Sequence, residues 1–286
     1  MLSLLILPIQ NPACNLSSAI IPSAILAINC LYKIYKSMNP ISLRKIYPYL
    51  NKNIKNRKWR QLTDKELDSL MKEKQVISNC YDVATRYALM LTEKGREAIK
   101  NAVRISKNND GKLTCKITFH IGDEVKTYRS VTSENHSLGE LIGSAVGKMI
   151  RCNPSQKPFI SRFGRFGFHR YQEFNKLSNA FHWYTGKKPI AIGENSLWPN
   201  LKKYKDKVIE LLNKIADTKG ESPFVVISSW KQSKLNGQRR WHCLPIVNID
   251  KAKKELSIIN KRTDEIIKLS FDDLINNFKA IVGISY

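Results

Sequence analysis

"WHCLPIVNIDKAKKELSIIN", from Trp241 to Asn260, decides how this chain is read. An apolar run through Ile249 meets a Lys-rich stretch, and a second apolar run follows from Leu256 to Ile259. Two short apolar runs split by a charged turn predict a β-hairpin. Its strands cover residues 241–249 and 255–259, with the turn near 250–254. An antiparallel hairpin brings the start of its first strand level with the end of its second. His242 and Asn260 then become neighbours, and the Asn260 side-chain oxygen can orient the imidazole. Asp250 and Asp264 take the place of Asn260 if the register slips. Strand alternation puts Cys243 on the face opposite His242.

An oriented imidazole needs a group to act on. Upstream lies "ISNCYDVATRYAL", from Ile77 to Leu89. Ser78 or Asn79 can cap a helix there, and Val83, Tyr87, Ala88 and Met90 follow at helical spacing, to about Leu91. Cys80 thus opens a helix. An ordinary thiol ionises near pH 8.5, but the unpaired N–H groups and positive dipole end of a helix start favour its anion. A nearby imidazolium favours it further. Any one of these residues alone reads as structural. The three in this order, each in the context it needs, point to nucleophilic thiol chemistry. His120, His136, His169 and His182 lack that context, and His182, beside Trp183 in a helix, is expected to pack or face solvent.

The rest of the chain supplies the frame. Thr63 and Glu66 form a capping box for a helix around residues 62–72, and Ser137 and Glu140 form another before "LGELIGSAVGKMI". A helix covers residues 96–104. Leu113, Cys115, Ile117 and Phe119 alternate with polar residues up to a Gly122-Asp123 turn, which predicts a second hairpin to Val131. Helices are expected near 171–184 and 201–216. Strands follow near 224–229, 265–269 and 281–285, with a short helix at 271–278. "RFGRFGFHRY", residues 162–171, reads as a loop burying three Phe rings or as a nucleic-acid contact. Helices first and strands last describe an α+β domain with two lobes. The helical lobe spans about 71–220 and carries the nucleophile helix, and the β-rich lobe spans about 221–286.

The chain has 286 residues, with 48 Lys and Arg against 24 Asp and Glu, a net charge of +24. Such an excess suits an acidic partner, protein or nucleic acid, or simply a well-solvated Lys-rich surface. Residues 38–70 form a basic N-terminal segment. Tyr47, Tyr49 and Trp59 are interleaved with its basic residues, as an arm that packs its rings on its own domain or as a nucleic-acid stacking surface. None of the six cysteines forms a C-x-x-C pair, so no structural zinc site and no other metal is expected, and the thiols are read as reduced. Residues 1–37 are an apolar leader with no charge before Lys33. It can be a weak signal-anchor, or Met38 can be the true start.

The order Cys at a helix start, His entering a strand far downstream, and Asn after the next strand resembles the papain-like cysteine proteases. "QVISNCYDVATRYALM" and "WHCLPIVNIDKAKKELSIINKRTDEIIKLSFDDLINNF" are most similar to the calpain-type branch and its bacterial relatives. The likeness covers about residues 71–286. It implies a papain-like two-lobed fold, a protein or peptide substrate, no cofactor, and a cysteine peptidase with Cys80 as nucleophile, His242 as base and acid, Asn260 as orienter and Gln75 as oxyanion donor. The pattern departs in three places. Gln75 is one residue closer to Cys80 than in the family, no glycine precedes Cys80, and Lys261-Arg262 stands where Pro or Trp usually follows the Asn. The same triad also serves deamidases, transglutaminases and deubiquitinases. From another class, an inactive basic scaffold that binds nucleic acid or acidic surfaces fits the charge. The expected location is the cytoplasm, or delivery out of the producing cell as an effector.

Overall fold

The computed structural model describes residues 58–74, 80–131, 133–153, 173–194, 201–218, 221–228 and 242–286. Two antiparallel sheets and the helices packed on them make an α+β fold. Lys58–Tyr286 forms one unit.

The first sheet has the order β1-β2-β3-β4, with β1 Arg60–Gln61, β2 Val103–Lys107, β3 Leu113–Ile121 and β4 Glu124–Arg129. Around it lie α1 Asp64–Lys72, α2 Cys80–Met90, α3 Glu93–Ala102, α4 Leu138–Cys152 and α5 Glu173–Thr185. The capping boxes read from the sequence are both present, Thr63 with Glu66 and Ser137 with Glu140. The helix expected over 96–104 begins and ends earlier. Thr92 caps it, and at Val103 the chain turns straight into β2. Val103 and Ile105 then alternate with polar residues and pair with Ile117 and Cys115, so cross-strand packing overrides the helical pattern.

The second sheet is larger, in the order β5-β10-β6-β7-β8-β9. It comprises β5 Ile190–Gly193, β6 Phe224–Ser228, β7 Cys243–Asp250, β8 Glu255–Asn260, β9 Glu265–Ser270 and β10 Phe278–Gly283. The sequence places its C-terminal strands within a few residues. Its central strands are covered on both faces. Val225 and Ile227 of β6, with Ala280 and Val282 of β10, face the core built by α2–α5. Phe224, Val226 and Ile281 face a second core, made with a 3-10 turn at Leu201–Tyr204, α6 Lys205–Asp217 and α7 Phe271–Asn277. That is why β6 and β10 are buried along their whole length while β9 alternates toward solvent.

β5 went unread because a four-residue strand carries too little pattern. It joins the sheet through Gly193, opposite Ala280. Gly193 has φ 118°, and a Cβ there would lie 2.3 Å from the Lys279 carbonyl oxygen. Gly193→Ala is expected to lower stability by about 1–3 kcal/mol, from backbone strain and the close approach together, measured by urea unfolding.

From the basic N-terminal segment, Trp59 packs on its own domain. Lys116 Nζ is 4.9 Å and the Arg129 guanidinium 5.5 Å from its ring centre. Residues 1–37 and "RFGRFGFHRY" lie outside the described residues. Among the described residues no helix is long and apolar enough to cross a membrane.

Candidate active site

Cys80 is the first residue of α2, which lies against β6 and β7 and beside α3 and α5. Its position is held from within the helix. Asp82 and Arg86, one turn apart, are buried, with Arg86 Nη2 3.0 Å and Nε 3.2 Å from Asp82 Oδ2. The Tyr184 hydroxyl on α5 donates to the other carboxylate oxygen at 2.6 Å. An acidic residue in the first turn also complements the helix dipole. Tyr81 meets the Trp183 ring edge-on at 6.3 Å, which closes the same face. The helix start therefore rests on a polar network under the sheet rather than on propensity alone.

His242 stands one residue before β7. Its backbone N–H donates to Ser228 Oγ at 2.7 Å, and its carbonyl accepts from the Ser228 N–H at 2.9 Å. The imidazole Nε2 lies 3.1 Å from Asn260 Oδ1. Oδ1 also accepts from the Arg262 N–H at 3.1 Å, which sets the amide with its oxygen toward the ring. Nε2 therefore carries the proton and donates it, and Nδ1 is left to take a proton from a thiol. The hairpin that sequence alone predicts is built as expected, closing from Asp250 to Glu255 through a four-residue turn.

The third member meets this ring. The Cys80 thiol lies close enough to His242 and Cys243 for both to act on its ionisation. The Cys243 thiol and then the His242 ring and its charge, with the Cys243 N–H, hold the Cys80 thiol well below the ordinary thiol range, against the opposing effect of burial. In contrast, burial pushes the Cys115 thiol up to about 11. Cys80, His242 and Asn260 are each buried.

The Cys243 expectation is corrected. Strict alternation would put it on the face opposite His242, yet Cys243 and His242 both act on the Cys80 thiol. Cys243 opens β7 opposite Ile227, and His242 before it joins β6 through its carbonyl, while its own N–H goes to the Ser228 hydroxyl. The substitutes for Asn260 are engaged elsewhere. Asp250 accepts from the Lys253 N–H, and Asp264 accepts from Lys261 Nζ. Lys261 is buried, donates to the Met71 carbonyl at 2.8 Å and lies 4.8 Å from the Tyr87 ring centre. It ties the end of β8 to α1 and α2.

Gln75 and the capping candidates Ser78 and Asn79 lie outside the described residues, as does His169. His182 bonds the Lys187 and Gly122 carbonyls, with the His120 ring 6.2 Å away. His136 bonds Ser133. Both uses are structural, as expected for His182. Ser228 and the Asp82–Arg86–Tyr184 network were missed from sequence. The i,i+4 spacing of Asp82 and Arg86 was a readable signal, but nothing local marks Ser228 or Tyr184.

No protein-family model matches this sequence, and no curated protein matches it.

Proposed function

We propose that this protein is a thiol hydrolase, a cysteine peptidase on a papain-like two-lobed plan, with Cys80 as nucleophile, His242 as base and acid, and Asn260 as orienter. One observation carries the reading: the imidazole that lies 3.1 Å from Asn260 Oδ1 also helps hold the Cys80 thiol well below the ordinary thiol range. A helix supplies the thiol and a hairpin of the large sheet supplies the other two.

The chemistry follows from the pairing. The Cys80 thiolate attacks the carbonyl carbon of an extended substrate chain. The developing oxyanion meets the N–H of Cys80, one of the helix-start donors with no partner inside the helix, and a side-chain donor assigned to Gln75. Protonated His242 gives its proton to the leaving amine, the C–N bond breaks, and a thioester remains. Water then attacks the thioester, His242 takes its proton, and the acid departs as the thiolate re-forms. The free thiols suit a reducing compartment, whether the cell of origin or one into which the protein is delivered. The positive charge suits substrates with acidic surfaces.

A thiol-directed epoxide with peptide mass mapping tests this. At neutral pH Cys80 is expected to label fastest, with Cys115 unlabelled, and His242→Ala abolishes the Cys80 label. Equal labelling of all cysteines, unchanged in His242→Ala, overturns the reading.

A further inference from the structure

We propose that Ser228 is a positioning residue of this site, whose hydroxyl fixes the His242 backbone and so sets where the imidazole stands. The contact rests on the hydrogen bonds of the two residues; its meaning for catalysis rests on the peptidase reading above.

Two hydrogen bonds join these residues, and only one of them is an ordinary strand bond. β6 and β7 pair Val226 with Leu244 and Ile227 with Cys243, so Ser228 comes opposite His242 at the next step. Residues bonded across an antiparallel pair exchange two N–H···O=C bonds. The Ser228 N–H reaches the His242 carbonyl at 2.9 Å, but the His242 N–H goes to Ser228 Oγ at 2.7 Å. The side chain thus takes the place that the Ser228 carbonyl holds in a regular ladder. That exchange needs a short side chain with an acceptor on its first atom beyond Cβ, which alanine and valine lack.

Burial makes the contact matter. Ser228 is 0% exposed and His242 8%, so the His242 N–H has little water to turn to if the hydroxyl is removed. Ser228 also ends a strand whose other residues, Phe224 to Ile227, are apolar and buried. Among the described residues its hydroxyl bonds His242 alone. The far end of the imidazole is held separately, with Nε2 3.1 Å from Asn260 Oδ1. The two holds come from opposite sides, because β7 lies between β6 and β8 in the sheet. Asn260 fixes the ring, and Ser228 fixes the backbone that carries it. His242 stands outside β7 proper, so the regular ladder does not do this for it. A ring held at one end only can swing, and a shift of about 1 Å in a reacting group costs on the order of 10²-fold in rate.

Full-length Ser228→Ala and Ser228→Thr are compared with the wild type by hydrolysis of a fluorogenic peptide and by epoxide labelling of Cys80 across pH. In Ser228→Ala, kcat is expected to fall about 10- to 100-fold with KM within about twofold, since only the imidazole moves. The acid limb of Cys80 labelling should also move up toward the ordinary thiol value, because the displaced ring no longer helps hold the thiol down. A merely structural loss leaves that limb in place. Ser228→Thr keeps the hydroxyl and should restore kcat to within about threefold of the wild type. An unmoved acid limb in Ser228→Ala overturns the proposal. So does a Ser228→Thr protein that melts like the wild type yet is as slow as Ser228→Ala. If threonine overpacks the site and lowers the melting temperature, the acid limb of Ser228→Ala decides alone. Cys80 labelling that Ser228→Ala slows, in a protein that hydrolyses no peptide, upholds the positioning and removes the peptidase reading. Hydrolysis that Ser228→Ala leaves intact overturns the positioning alone.

Discussion

Cys80→Ala and His242→Ala are each expected to reduce peptide hydrolysis on the order of 10⁴-fold or more, and the double variant no further than either single one. In the proposed mechanism the two side chains act as one unit. Without the imidazole the thiolate loses its partner and the leaving amine loses its acid; without the thiol the imidazole has nothing to activate. Asn260→Ala is expected to cost much less, because Nε2 loses its acceptor while both reacting groups stay. A fluorogenic peptide library and a denatured labelled protein provide the readout. The pH dependence has a definite sign. The Cys80 thiol is held well below the ordinary thiol range by Cys243 and His242, so its anion persists as pH drops below that range. Activity falls on the acid side only where the pH passes the lowered value. An acid limb at the ordinary thiol value, or additive losses in the double variant, would contradict the paired mechanism.

Asp82→Ala is expected to destabilise the fold by about 3–5 kcal/mol, the usual cost of removing one partner from a buried ion pair. Asp82 is fully buried, and its carboxylate accepts from both Arg86 and Tyr184. Alanine leaves a buried guanidinium without that counter-charge and a buried hydroxyl without that acceptor. A melting-temperature loss of about 10 °C is expected for a chain of this size. Asp82→Leu with Arg86→Met should recover much of it, since an apolar pair of similar volume replaces both charges at little net cost. Equal losses in the single and double variants would show that the network contributes by packing alone. Because Cys80 opens the same helix, the single variant should also slow epoxide labelling.

Much of the site was legible because its parts are local. The hairpin from Trp241 to Asn260 announces itself by two apolar runs and a charged turn, and it alone makes His242 and Asn260 neighbours. The helix beginning at Cys80 shows in its apolar spacing. The capping boxes at Thr63 and Ser137 are four-residue signals, and both form. The reading failed where one element answers to another. β2 looked like the tail of a helix until its pairing with β3 was present, and β5 had no pattern of its own. Gln75 lies outside the described residues, so the spacing departure before Cys80 stands as a feature of the sequence.

By itself, the sequence determined the α+β class and the hairpin that brings His242 and Asn260 together; the structure decided the register that leaves Asn260 rather than Asp250 or Asp264 beside His242. The class and the hairpin depend on periodicity and turn length, which reach across only a few residues. Tertiary structure alone decided which thiol meets Cys80, what anchors His242, and what holds up the helix start. Cys243 acts on the Cys80 thiol because α2 lies against β7. Ser228 grips the His242 backbone because β6 lies beside β7, and Tyr184 reaches Asp82 from a helix a hundred residues away. Contacts at that separation are selected by the whole core closing at once, and no window of sequence carries them.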